Sequence, residues 1–260
     1  MSKRDWSAAA AVIGSLFFVT SAATAQVPIN AQAATLLRAS LSALTGGNPI
    51  SDVRLEGSAR LTAGSDEETG TAILEARSAA SRVSLSLPNG QLLEVRKDTT
   101  GFWSGADGIT HPMPLHNTWT SGNWFVPALI IQDALNVRNF SAALVNTGSE
   151  ATAAETIHLT RIEGGLPADR ATEIQRLSAT DLLLDSKSLL PISISFTIHP
   201  DTEPNVDVPV RIEFSDYRTI SGRKAPFRIK KLLYGDLFLD LTISNASFDT
   251  ALPDSEFNGQ

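Results

Sequence analysis

From Asp181 to Phe248 apolar and polar residues alternate through five consecutive runs. In Leu190–His199, Ile192, Ile194, Phe196 and Ile198 fall on one side and Ser193, Ser195, Thr197 and His199 on the other. Asp236–Ser244 repeats the pattern, with Leu237, Leu239, Leu241 and Ile243 opposite Phe238, Asp240, Thr242 and Ser244. A period of two over this length predicts strands with one buried face. The breaks at Ser186-Lys187-Ser188, Ser221-Gly222-Arg223 and Gly235 are short. Neighbours joined by short turns pair antiparallel, so this stretch predicts a meander.

The pattern before it adds further elements. Leu37, Leu41 and Leu44, widened by Leu36, form a helical stripe within Ala33–Leu44, with Asn30 placed to cap its start and Gly46-Gly47 to end it. Asp52–Leu61 alternates again. Arg54, Glu56, Ser58 and Arg60 make one side wet, and Gly57 and Ala59 leave room on the other for a crossing helix. Gly64–Gly70 reads as an acidic turn. Thr71–Arg77, Ser81–Leu87 and Gln91–Lys97 read as strands, the last two joined by the hairpin signal Asn89-Gly90. Gly101–Ser104 is a further short strand.

The character changes over His111–Asn136, which is rich in proline and aromatic residues. Pro127 suits the first turn of a helix that is apolar on nearly every side except Gln132 and Asp133. Strands resume at Asn139–Asn146 and Glu155–Ile162. Gly164–Arg170 is a loop, Thr172–Asp185 returns to the meander, and Pro200–Pro209 is a second polar loop. The expected architecture is mainly β with a few helices (α+β). About eleven to thirteen antiparallel strands form a strongly curved sheet, an incomplete β-barrel with helices lidding its concave face.

Address and charge narrow the setting. Lys3 and Arg4, the apolar run Ala8–Val19 and Ala23-Thr24-Ala25 read as a secretory signal peptide over residues 1–25, cleaved after Ala25. Residues 26–260 then form a single domain in which 101–136 is an insertion or lid, located in the periplasm. There is no cysteine, so no disulfide framework and no lipidation at a new N-terminus is expected. Losing Lys3, Arg4 and Asp5 takes the net charge from −7 to −8, which argues against nucleic acid as a partner.

No catalytic constellation, nucleophile elbow or phosphate loop is present, so no enzyme and no cofactor is expected. His111 and His116 flank prolines without ligand spacing, and His158 reads as a solvated strand residue. Asp201, Glu203 and Asp207 lack the spacing of a calcium loop, so no metal site is assigned. What stands out is apolar surface. Trp103, Trp119, Trp124, Phe125, Leu129 and Ile130 gather in or beside the insertion, with Phe196 and Phe214 on the later strands. They either close the core or line an apolar cleft inside the curled sheet, which at this size can enclose a ligand.

The C-terminal residues carry a resemblance. Leu184-Asp185-Ser186-Lys187-Ser188-Leu189-Leu190-Pro191 leads into Ile192–Phe196. Phe214-Ser215-Asp216-Tyr217-Arg218, Gly222–Phe227 and Leu241–Phe248 follow, and then Leu252-Pro253-Asp254-Ser255-Glu256-Phe257. Over Thr180–Phe257 this order resembles the LolA/LolB-like superfamily of periplasmic lipoprotein and lipid carriers. The resemblance implies an incomplete barrel whose helices lid a cavity for a lipid or lipoprotein acyl chain, together with transient contact with membrane surfaces. It assigns no individual binding residue. A non-catalytic domain that senses or binds other envelope proteins, built on the same fold with a filled core, is the alternative, and a hydrolase whose site is not legible is a third.

Overall fold

The side chain of Asn30 accepts hydrogen bonds from the N–H groups of Gln32 and Ala33 and so caps α1 (Ala31–Thr45). At the other end Gly46 takes a left-handed conformation and donates its N–H to Ser42 O. This computed structural model describes residues 29–136, 139–145 and 154–258. The signal peptide read over 1–25 lies outside them.

The strands are β1 (Val53–Ala63), β2 (Asp66–Arg77), β3 (Ala80–Leu87), β4 (Gly90–Lys97), β5 (Thr100–Ser104) and β6 (Thr110–Pro112). Then come the helices α2 (Leu115–Thr118) and α3 (Pro127–Asn136), followed by β7 (Phe140–Val145), β8 (Ala154–Arg161) and α4 (Ala168–Ser178). Last are β9 (Thr180–Asp185), β10 (Pro191–Ile198), β11 (Val208–Ile220), β12 (Arg223–Leu233) and β13 (Asp236–Phe248). They form one 13-stranded antiparallel sheet in the order β6-β5-β4-β3-β2-β1-β13-β12-β11-β10-β9-β8-β7. The first and last strands pair at its centre, and a meander runs outward on each side. Ser221-Gly222 and Tyr234-Gly235 supply the two positive-φ residues that tight two-residue hairpins require.

The sheet is curled but not closed, because its edge strands β6 and β7 do not pair. In a flat sheet, β5 and β10 lie eight strand spacings apart, about 38 Å. Yet Trp103 Nε1 on β5 donates to Asp201 Oδ2, just beyond β10, at 3.3 Å. Curling puts one continuous apolar core on the concave side, with α1 and α3 packed together there. On the outer face two buried carboxylates lie between arginines: Glu75 between Arg54 and Arg82, and Asp240 between Arg60 and Arg228. The charged side of β1 is therefore knitted to its neighbours, not simply solvated.

Three local expectations change. The acidic residues Asp66–Glu68 belong to β2, paired with Ala63, Thr62 and Leu61, so the turn shrinks to Gly64-Ser65. Residues 168–178 form helix α4. Its apolar side is thin, Ile174 and Leu177 with Leu177 alone buried among the apolar residues, which is why the stretch reads as loop and strand. The space at Gly57 is taken by backbone, not by a helix. β13 bulges against Glu56/Gly57, and a Cβ on Gly57 would lie 2.2 Å from Thr242 O.

Candidate functional site: an apolar concavity filled by its own lid

Cross-strand register shows what faces inward. One row runs Ala59, Leu241, Ile229, Phe214, and the next runs Leu61, Leu239, Lys231, Ile212, Ile194, Leu182, Ile157. Side chains directly opposite one another share a face, so these rows line the concavity. Into it drops the segment between β6 and β7. Trp124 and Phe125 meet edge to face at 5.3 Å, and Phe125, Leu129 and Ile131 are wholly buried. Among the described residues, two spaces beside this plug measure about 10 Å³ and 30 Å³. A small-molecule pocket occupies about 300 Å³ or more. In this conformation the lid itself occupies the concavity.

The plug is held by polar contacts at specific points. Gln132 accepts from Ile50 N (3.1 Å) and donates to Ile50 O (2.9 Å), tying α3 to the loop before β1. Asn117 does the same to His199, donating to its O (2.7 Å) and accepting from its N (3.0 Å), which fastens α2 to the end of β10. Arg96 donates to Asn117 O and Thr120 Oγ1, both at 2.9 Å, and Asn123 donates to Ser78 O. Among the described residues, Trp124 Nε1 and Asn123 Oδ1 are buried without a hydrogen-bond partner, an uncommon and costly state.

Charges also lie under the lid. Burial pushes the Asp133 carboxyl on α3 up to about 6, against the opposing pull of Arg161. Burial in turn lowers the pKa of Arg161, which sits over the rings of Phe140 and Trp119 at 5.5 and 6.0 Å. β4 turns Glu94 and Arg96 inward, while Val95 points outward into a groove shared with Phe102 and Phe257. Glu94 accepts from Arg96 Nε at 2.8 Å. Burial raises its pKa, but Arg96 and Lys231 outweigh that and hold it below the usual carboxylate range. Opposite, the Lys231 ammonium lies 5.0 Å from the Trp124 ring, and burial lowers its pKa.

Solved structures share this architecture. A domain named for outer membrane lipoprotein sorting, from Vibrio parahaemolyticus, superposes with a TM-score of 0.52 at 10% identity, covering 87% of this chain and 96% of that one. A LolA superfamily protein from Nitrosomonas europaea gives 0.54 at 15% identity, over 87% and 97%. A DUF1329 family protein from Desulfovibrio piger gives 0.51 at 13%, over 87% and 96%. The fold is LolA-like. No family sequence profile matches the chain, and no curated protein matches it in sequence.

Within this LolA-like fold, the residues singled out from sequence separate into groups. Trp124, Phe125, Leu129, Ile130, Phe196 and Phe214 share the concave core. Trp119 lies at its margin, lining the 30 Å³ space with Ile130, Asp133 and Arg161. Trp103 belongs to the seam where β5 meets the loop after β10, stacked on His111 at 4.3 Å. Asp207 engages Arg176 and His199, Asp201 faces Trp103 and Asn117, and His158 bonds Asp181 on the outer face. Among the described residues no group of three or more His, Cys, Asp or Glu is placed to hold a metal ion. The fastenings Asn117 and Gln132, and the inward charges Glu94, Arg96 and Lys231, were not among the residues singled out. Gln132 was legible only as a polar exception in an apolar helix. A second groove, about 380 Å³, lies open on the outer face beside Asp181, Ser195, Thr197 and Arg211.

Proposed function

We propose that the chain is a periplasmic carrier or chaperone that holds a lipid or lipoprotein acyl chain in the concave face of the sheet, with residues 113–136, the part of the expected 101–136 insertion that lies outside strands β5 and β6, as its lid. The chain acts by binding, without catalysis. One observation carries this reading. An almost wholly apolar helix fills the bowl of an unclosed sheet as a separate piece, fastened by a few side-chain amides and an arginine. If it swings out, it leaves an apolar concavity lined by Phe196, Phe214, Ile229 and Leu241. Each buried CH₂ contributes about 0.8 kcal/mol, so a chain of about a dozen carbons supplies about 9 kcal/mol toward displacing the plug. The LolA-like fold supports the same ligand class, since one neighbour is named for lipoprotein sorting.

The tight fit of the plug favours a second reading, an interaction or sensor domain of the envelope with a permanently filled core. Titration with a fluorescent acyl probe separates the two. The carrier gives saturable binding and a red shift of tryptophan emission as Trp124 leaves its buried site. A wild-type protein that binds no acyl probe belongs to the second reading.

A further inference from the structure

The inner face of the sheet is apolar along nearly the whole row in which Lys231 stands, between Ile212 on β11 and Leu239 on β13. An ammonium there is out of pattern. Among the described residues no carboxylate lies within 4.0 Å of it. The carboxylate acting on it from across the concavity, Glu94, is already held by Arg96 at 2.8 Å. The three inward groups Glu94, Arg96 and Lys231 therefore carry one uncompensated positive charge. A half-buried cation without a close counter-ion is partly desolvated, and this accordingly lowers the basicity of Lys231.

The surroundings of Lys231 differ from those of the plug. Lys231 is half-buried and the Glu94 side chain is 27% exposed, so solvent reaches both although they face the interior. Half-buried apolar residues near the hairpin ends of the same face, Leu61, Leu92, Leu233 and Phe238, pack against the core without sealing it. Trp124 connects the two regions, with its ring against Lys231 on one side and Phe125 on the other. An acyl chain that takes the place of Trp124 therefore lies against the ammonium.

We propose that Lys231 anchors the anionic head of the bound amphiphile, an acyl chain ending in a carboxylate or phosphate. This rests on the carrier reading and narrows it, since a neutral acyl group has nothing for Lys231 to pair with. A compact ammonium on a flexible stem suits either head, because it acts as a point charge and needs no bidentate geometry. A hydrogen bond to a charged partner in such a site is worth about ten- to a hundredfold in affinity.

The test compares dodecanoate, dodecyl phosphate, dodecanol and inorganic phosphate as competitors for a fluorescent acyl probe, on wild type and on Lys231→Met and Lys231→Arg. Wild type is expected to bind both anionic amphiphiles at least about tenfold more tightly than dodecanol. Lys231→Met should lose that preference while keeping its affinity for dodecanol and its melting temperature, and Lys231→Arg should retain the preference. Equal affinities for all three amphiphiles, or a preference that survives in Lys231→Met, overturns the anchor and leaves the carrier standing. Binding of inorganic phosphate as tight as that of dodecyl phosphate overturns it in favour of a plain anion site. If no amphiphile binds wild type, the carrier reading falls and the anchor with it.

Discussion

Gln132→Met isolates the fastening of the plug from its packing. Methionine has nearly the length of glutamine and a good helix propensity, so α3 keeps its apolar contacts. What is lost is the pair of bonds to Ile50, at 3.1 and 2.9 Å. Ile50 is buried, so its N–H and C=O are left short of partners while the lid stays closed. Two such losses cost about 2 kcal/mol in the closed state. The open state never makes these bonds and is unaffected. The equilibrium between them therefore shifts about 30-fold toward open. Where binding requires the open state and that state is rare, apparent affinity rises in proportion to its population. A fluorescent acyl probe should accordingly bind Gln132→Met about 30-fold more tightly than wild type. The same 2 kcal/mol should lower the melting temperature by about 4–8 °C in a chain of this size. Two measurements on one variant decide the matter. A fall in melting temperature with probe affinity unchanged or weaker would show that the plug is permanent core, and would refute the reasoning.

Other perturbations follow from the same geometry. Asn117→Ala strands the buried N–H and C=O of His199 and should cost about 2–4 kcal/mol by denaturant melts; an unchanged midpoint would mean that α2 is not fastened there. Asp133 titrates at about 6 when folded against 3.8 for the unperturbed group, so the folded state holds the extra proton between these values and loses stability as pH rises through them. Asp133→Asn should then raise the melting temperature at pH ~7.5 and leave it unchanged at pH ~3.5, whereas an equal gain at both would rule out titration as the cause. Gly57→Ala forces a methyl group to within 2.2 Å of Thr242 O and should destabilise the β1–β13 seam by about 1–3 kcal/mol, and a melting curve identical to wild type would contradict the close approach.

How much of this was legible follows from the range of each signal. The Asn30 cap, the Gly235 break and most of the β10 and β13 alternation are local, and pattern reading finds them; register shifts beside Ile192 and Leu237 interrupt it, and Phe238, expected opposite Leu239, packs against the core instead. The Asp185–Pro191 motif is also local: the Asp185 carboxylate accepts from the backbone of Lys187 and Ser188 and from the Ser188 hydroxyl. Helix α4 escaped because its partners lie on β8 and β10, and it needs only a thin apolar edge to meet them. The fastenings escaped for a different reason. Gln132 and Ile50 are 82 residues apart, as are Asn117 and His199, and nothing local marks either pair. The inward turn of β4 is hidden by its outer face. Val95 is buried there near the C-terminal turn, so apolar character on that strand does not report the concave side. Finally, a helix apolar on all sides announces that it is surrounded, but its composition is the same whether the neighbour is sheet or acyl chain.

That last distinction is accessible to a photoreactive fatty acid carrying a diazirine near the end of its chain, irradiated with the protein and mapped to single residues by peptide fragmentation. An acyl chain that displaces the plug should label inner-face residues, Phe214, Ile229 and Leu241, and excess unlabelled fatty acid should abolish the label. Labelling confined to the outer groove around Asp181, Ser195 and Arg211, or no label that competitor removes, would contradict a chain-binding concavity.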